Sequence, residues 1–138
     1  MLIDTNIILE LLLGRPKADD CEKLLQAASR GKVEVVITHF SIHAIEALMK
    51  NQDLILTLLR NLENSLGISV HDTTISDEIA VTVLMKKVNL DFDDCLQYFV
   101  AKKLGAEAIV SFDRHLDDLD VPRHEPKNII FRIHKNGS

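Results

Sequence analysis

The chain has 138 residues, the size of one ordinary domain, and 46% of them are hydrophobic, enough to fill a core and too many for a disordered segment. Its formal net charge of −5, with Trp absent and aromatics at 4%, argues against a protein that grips nucleic acid by bulk positive charge or by a base-stacking platform. No apolar run reaches the roughly 20 residues of a membrane span, and the opening Met1-Leu2-Ile3-Asp4 has no basic segment of the secretory kind, so no membrane contact and a cytosolic location are expected.

In chain order, Leu2-Ile3-Asp4 reads as a short buried strand, and Asn6 to Leu13 as an apolar helix stopped by Gly14 with Pro16 beyond it. Asp19 and Asp20 are placed to cap a second helix that runs through Arg30, with Leu24, Leu25 and Ala28 as its apolar stripe. Val33 to Thr38 is β-branched and continuous, as in a strand buried on both faces. Ser41 starts a helix carrying Ile42, Ile45, Leu48 and Met49, and Asp53 to Ser65 forms another, with Leu54, Leu58 and Leu62 at helical spacing. Ile68 to His71 is a strand; Ser76 opens a helix with Asp77 and Glu78 in its first turn; Asp91 opens one from Phe92 to Leu104, closed by Gly105. Ala108 to Phe112 is a strand, Arg114 to Leu119 a short segment after it, and Asn128 to Ile133 a last edge strand.

Strands separated by helices of about ten residues or more imply right-handed crossovers and a mostly parallel sheet between helical layers. Ligands of such sheets bind outside the carboxyl ends of the strands. Asp4 and Asp113 both end apolar runs there, and Glu46 and Asp94 are expected near the starts of two helices that begin or pass at the same edge. Carboxylates gathered by a fold repel one another, a cost relieved when a divalent cation neutralises them. The four acids therefore suggest a Mg²⁺ or Mn²⁺ site, whose commonest chemistry is on phosphate esters.

Each acid also has an ordinary explanation. Asp4 could cap the helix from Asn6, Asp94 could complete a capping box with Asp91, Glu46 could point to solvent, and Asp113 could cap the segment that follows it. Asp72, in His71-Asp72-Thr73-Thr74, is a rival by topology, for which a capping or turn role is expected. Cys21 and Cys95 read as reduced, buried side chains. His39 and His43 are the only histidine pair at helical spacing, with no further Cys or His close in sequence to complete a zinc site.

Leu2-Ile3-Asp4-Thr5-Asn6 resembles the opening of PIN-domain proteins. Phe92-Asp93-Asp94-Cys95-Leu96-Gln97 with Ala101 to Ala106 resembles their third acidic motif, and Ala108 to Leu116 their following strand and T-x-D-x-x-F motif. Ser41 to Met49 fits the helix that carries the family's Glu. Cys95 stands where Ala is usual, Ser111 for Thr, and Leu116 for an aromatic. The resemblance implies a three-layer α/β/α PIN-like domain over residues 1–138. Asp4, Glu46, Asp94 and Asp113 would be the catalytic acids, with Asp4, Asp94 and Asp113 on Mg²⁺ or Mn²⁺ and Asn6 and Ser111 as polar supports.

The pair Asp93-Asp94 leaves the ligand ambiguous by itself; the resemblance implies Asp94, because its seven-residue step to Ala101 matches the family's motif, and Asp93 is expected to face solvent. The implied reaction is hydrolysis of RNA phosphodiester bonds by in-line attack of water, leaving a 5′-phosphate. The implied setting is that of VapC-type toxins of toxin–antitoxin pairs, with RNA as substrate, an antitoxin as possible partner and a homodimer as assembly. Lys102, Lys103 and Arg114 lie near the third and fourth motifs and could meet the RNA backbone, though Lys102 and Lys103 also fit a solvated helix end favourable to the dipole. The apolar positions Ile7, Ile8, Leu11 and Leu12, with Leu54 to Leu62, would supply surface for a dimer and a groove for a helical partner. A non-catalytic PIN module that binds protein or RNA is the alternative. A receiver-type phosphoryl-transfer domain fits less well, because Asn6 stands where its second Asp belongs and its Lys after a late strand is missing.

Overall fold

A computed structural model describes residues 1–137. Its five strands are β1 (Leu2–Ile3), β2 (Val35–Thr38), β3 (Ile68–His71), β4 (Ile109–Val110) and β5 (Arg123–His124). They form one sheet in the order β3-β2-β1-β4-β5, and every pairing is parallel. Between them run α1 (Thr5–Leu12), α2 (Ala18–Ser29), α3 (His39–Leu48), α4 (Gln52–Glu63), α5 (Ile75–Val88) and α6 (Phe92–Leu104), a 3₁₀ turn at Arg114–Asp118, and α7 (Pro126–Gly137) after the last strand.

The alternation of side chains along a strand builds the three layers. Ile3 and Val110 face one side, where Ile7 and Ile8 of α1, Leu24 and Ala28 of α2, Ile45 of α3, Leu58 of α4 and Ile129 of α7 cover them. Leu2 and Ile109 face the other, against Val81 of α5 and Cys95, Leu96 and Val100 of α6. A strand covered on both faces must be apolar throughout, which is why β1 and β4 read as unbroken hydrophobic runs. Thr74 and Asp77 form a capping box that starts α5 at Ile75, one residue before Ser76, and Lys103 Nζ reaches Asp77 Oδ1 at 2.8 Å to tie α6 to α5. Cys21 and Cys95 are both buried and free, on opposite faces of the sheet. No described helix is long and apolar enough to cross a membrane.

Three sequence expectations change here. Asn128 to Ile133 is not an edge strand but lies inside α7. Pro126 is suited to the first helical position, and Ile129, Ile130 and Ile133 recur at helical spacing to pack on the α2 side. The true edge strand is the two-residue β5, too short and too polar to announce itself. Ile7 and Ile8 are fully buried in the core, so α1 offers less free surface than expected. Exposed apolar side chains lie instead on α5, at Ile75, Ile79 and Val83.

Candidate active site

In the strand order β3-β2-β1-β4-β5, the chain steps outward from β1 to β3 and then returns to the other side of β1. The switch point lies between β1 and β4, where loops leave in opposite directions and open a crevice at the carboxyl ends. Asp4 follows β1 there, and Ser111 and Asp113 follow β4.

Asp4 occupies the N-cap position of α1 but makes no side-chain cap hydrogen bond. Its Oδ2 instead accepts from Ser111 Oγ at 2.6 Å. Asn6 Nδ2 donates to the same Ser111 Oγ at 3.1 Å, and the backbone N–H of Asp113 donates to it at 3.0 Å. Burial is the main reason the Asp4 pKa is pushed up to about 6; Ser111 opposes the rise, and the charges of Asp93 and Asp113 add to it. Asp113 does cap the 3₁₀ turn, accepting from the His115 N–H at 2.9 Å.

The first turn of α6 brings two further acids. Asp91 is the N-cap and accepts from the Asp94 N–H at 2.9 Å, but the reciprocal half of a capping box is missing. The Asp94 carboxylate takes no hydrogen bond from any described residue. Burial, then the charges of Asp91, Asp113, Asp4 and Asp93, push its pKa up to about 7. Asp93 does not face solvent as the sequence suggested. It is half-buried, accepts from Gln97 Nε2 at 3.1 Å, and has its pKa raised chiefly by burial. Consecutive helical side chains diverge by about 100°, yet the charge of Asp93 acts on both Asp4 and Asp94, so both acids of this first turn border the same space. The positive ends of α1 and α6 partly offset the repulsion.

Glu46 forms no described hydrogen bond with this group. It lies in the last turn of α3 rather than near the start, and its Oε1 is 2.9 Å from His43 Nδ1. Asp72 neither caps nor turns the chain; it pairs with His39 at 2.7 Å, while Thr74 caps α5. Lys102 and Lys103, in the last turn of α6, lie at the far end of that helix from Asp94 and are engaged by Asp120 at 2.6 Å and Asp77 at 2.8 Å. Arg114 is exposed beside Asp113, and no described residue forms an ion pair with it.

Sequence reading missed a buried polar network. Thr5 and Ser41 hydroxyls lie 2.6 Å apart, Thr38 Oγ1 donates to Ser41 Oγ at 3.1 Å, and Gln97 Nε2 lies 2.8 Å from Ser41 Oγ. These four side chains are all buried and link the starts of α1 and α3 to Asp93 on α6. The signals present in the sequence were Gln97 four residues after Asp93 and Thr38 at the end of a strand. Arg123 of β5 was also missed: its Nη1 donates to the Ser111 carbonyl at 2.9 Å while its Nε holds Asp117 at 2.6 Å, fixing the loop that carries Asp113.

Among the described residues no three His, Cys, Asp or Glu side chains are gathered tightly enough to close on an ion as they stand. The donor set nonetheless suits a hard divalent cation. All candidate donors are carboxylate oxygens, two of them have raised pKa values, and the buried Gln97 Oε1 has no partner.

A five-stranded parallel sheet between helical layers, with acids collected at its switch point, defines a three-layer α/β/α class. The PIN domain family model matches residues 1–122, and the chain belongs to that family. Among solved structures it is similar to a chain of a toxin–antitoxin complex from Klebsiella pneumoniae, at 15% identity, covering 91% of this chain and 96% of that one with a TM-score of 0.69. It is also similar to VapC20 of Mycobacterium tuberculosis, described as a sarcin–ricin-loop-cleaving toxin, at 16% identity over 82% of this chain and 89% of that one, with a TM-score of 0.61. No curated protein matches the chain.

Proposed function

We propose that the protein is a divalent-metal-dependent ribonuclease acting in the cytosol as the toxin of a toxin–antitoxin pair. The observation that carries this reading is the uncompensated charge at the switch point, where Asp4 and Asp94 have pKa values pushed up to about 6 and about 7 by burial and by neighbouring acids. A fold keeps such a group when something cationic binds to it.

Asp4, Asp94 and Asp113 would hold Mg²⁺ or Mn²⁺, which when bound makes water a better nucleophile and stabilises charge on the phosphate oxygens. The chain's own residues prepare that position. Ser111 and Asn6 fix the Asp4 carboxylate, Asp93 adds negative charge and is oriented by Gln97, and Arg123 holds the Ser111–Asp113 loop. With a net charge of −5, the approach of RNA depends on local cations, and Arg114 is the one beside the acids. Glu46 joins this set only if it leaves His43.

The partner reading rests on a groove of about 390 Å³ between α1, α2 and α4, lined by Ile8, Leu11, Leu12, Leu25, Leu54 and Leu58 among others. It suits the apolar face of a helical antitoxin segment that carries an Arg or Lys toward Asp4 and Asp94. A homodimer would use exposed apolar surface such as that of α5.

The pairing of Glu46 with His43 favours a second reading, a non-catalytic PIN module. Cleavage of a fluorophore-labelled RNA in Mg²⁺ or Mn²⁺, against EDTA, separates the two. Wild type should cleave and leave 5′-phosphate ends, Asp4→Asn and Asp94→Asn should each lose cleavage while keeping the wild-type circular dichroism spectrum, and Asp72→Asn should cleave normally. Full activity in either site variant refutes the assignment. A wild type that cleaves nothing, and whose melting temperature Mn²⁺ raises no more than that of Asp4→Asn, points to the module.

A further inference from the structure

His39 opens α3 and His43 follows one turn later on the same face. Their rings are stacked, with centroids 4.4 Å apart and planes within 11° of parallel. Each ring is fixed by a carboxylate on the same atom. His39 Nδ1 lies 2.7 Å from Asp72 Oδ1, and His43 Nδ1 lies 2.9 Å from Glu46 Oε1. The His43–Glu46 pair is an i,i+3 pair within α3, whereas Asp72 comes from the residue after β3, so the His39 pairing is set by tertiary contact rather than by helix geometry.

A carboxylate on Nδ1 selects the tautomer that carries its proton there, which leaves Nε2 with a free lone pair. That is the arrangement around metal-bound histidines, where the second ring nitrogen donates to a carboxylate that sets the ring's orientation and raises its basicity. Here it occurs twice, on adjacent exposed rings, and no described residue hydrogen-bonds to either Nε2. Both side chains are open to solvent, at 40% and 69% exposure, so an ion has a path in and waters can complete its shell. Histidine χ2 is a soft torsion, so neighbouring rings can turn toward a shared ion at little cost. The two carboxylates also supply negative charge that lowers the cost of bringing in a dication.

We propose that His39 and His43 form a two-ligand, open binding site for an imidazole-preferring divalent cation of the Zn²⁺, Ni²⁺ or Co²⁺ class, oriented by Asp72 and Glu46. The site is distinct from the acidic face by ligand chemistry. Imidazole nitrogen selects these metals, whereas carboxylate oxygen alone suits Mg²⁺ and Mn²⁺. It is not a closed structural zinc site, since only two protein ligands meet the ion and the other positions fall to water. The inference stands apart from the ribonuclease reading, because it uses none of Asp4, Asp94 or Asp113. It does bear on Glu46: an ion on His43 strengthens the hold of His43 on that carboxylate and keeps Glu46 away from the crevice.

The test is calorimetric titration of the intact protein with Zn²⁺ and Ni²⁺ in a non-coordinating buffer near pH 7.5, with histidine side-chain NMR under Ni²⁺ to locate the ion. With the acidic face held in excess Mg²⁺, the expected result is one saturable site, with broadening of the His39 and His43 ring signals before those of the other four histidines. His43→Gln should weaken binding at least tenfold and Asp72→Asn at least several-fold, while Asp4→Asn and Asp94→Asn bind as wild type. All four positions are at the surface or relieve charge, and unchanged circular dichroism verifies folding. Absence of saturable binding overturns the proposal. So does binding in excess Mg²⁺ that survives His39→Gln/His43→Gln, or binding that is lost in Asp94→Asn and kept in the double histidine variant.

Discussion

Replacing Asp4 with Asn should stabilise the metal-free protein at alkaline pH, and the size of the effect follows from burial. The Asp4 pKa rises from its ordinary value of 3.8 to about 6 in the fold. At about 1.4 kcal/mol per pH unit, that difference is a destabilisation of about 3 kcal/mol when the carboxylate is ionised. The folded state binds the Asp4 proton more tightly than the unfolded state does. Between about pH 4 and pH 6 the folded protein therefore carries more protons, so stability falls as pH rises through that window and levels off above it. Asp94, pushed up to about 7, extends the fall upward with the same sign, but it is partly exposed and solvent screening reduces its share.

Asn at position 4 cannot ionise, and its Oδ1 can still accept from Ser111. In EDTA at pH 8 the variant should be more stable than wild type by about 3 kcal/mol, roughly 9–15 °C in melting temperature for a chain of this size. Below about pH 4 the two should converge. Urea unfolding followed by circular dichroism at pH 4, 6 and 8 measures this directly. A variant less stable than wild type at pH 8, or a difference that does not change with pH, refutes the argument that burial and neighbouring charge set this carboxylate's pKa.

Other perturbations probe other parts of the fold. Gln97→Leu removes the only described donor to Asp93 and leaves Ser41 and Thr38 short of a partner, so it should cost about 1–3 kcal/mol in urea unfolding. Asp93→Asn should lower the Asp4 pKa, seen by carboxyl NMR titration; an unchanged value would return Asp93 to the solvent side. In steady-state cleavage Arg114→Ala should raise KM several-fold, while Lys102→Ala, whose charge is taken by Asp120, should leave KM nearly unchanged. A Cβ at Gly67 would lie 2.5 Å from the carbonyl oxygens of Ala28 and Val33, so Gly67→Ala should destabilise by about 1–3 kcal/mol through forced backbone movement.

Periodicity alone determined much of this protein. Unbroken apolar runs at Leu2-Ile3 and Ile109-Val110 require cover on both faces, and helices between the strands require a parallel sheet, so the layered class and the collection of Asp4, Asp94 and Asp113 at one edge were legible from residues far apart in sequence. The ordered motifs from Asp4 to Leu116 pointed to the PIN family in the same way. The rest depended on long-range contacts that no local pattern encodes. Asn128 to Ile133 could pass for a strand because a short apolar run fits either period, and only packing against α2 decided for helix. Whether the Asp4 side chain caps its own helix was decided by a hydroxyl 107 residues away, on Ser111. Whether Asp93 meets solvent was settled by Gln97, held in turn by Ser41 from another helix. Hydrogen-bond partners and burial are properties of tertiary contact. A side chain's charge state and direction follow from them rather than from its neighbours in the chain.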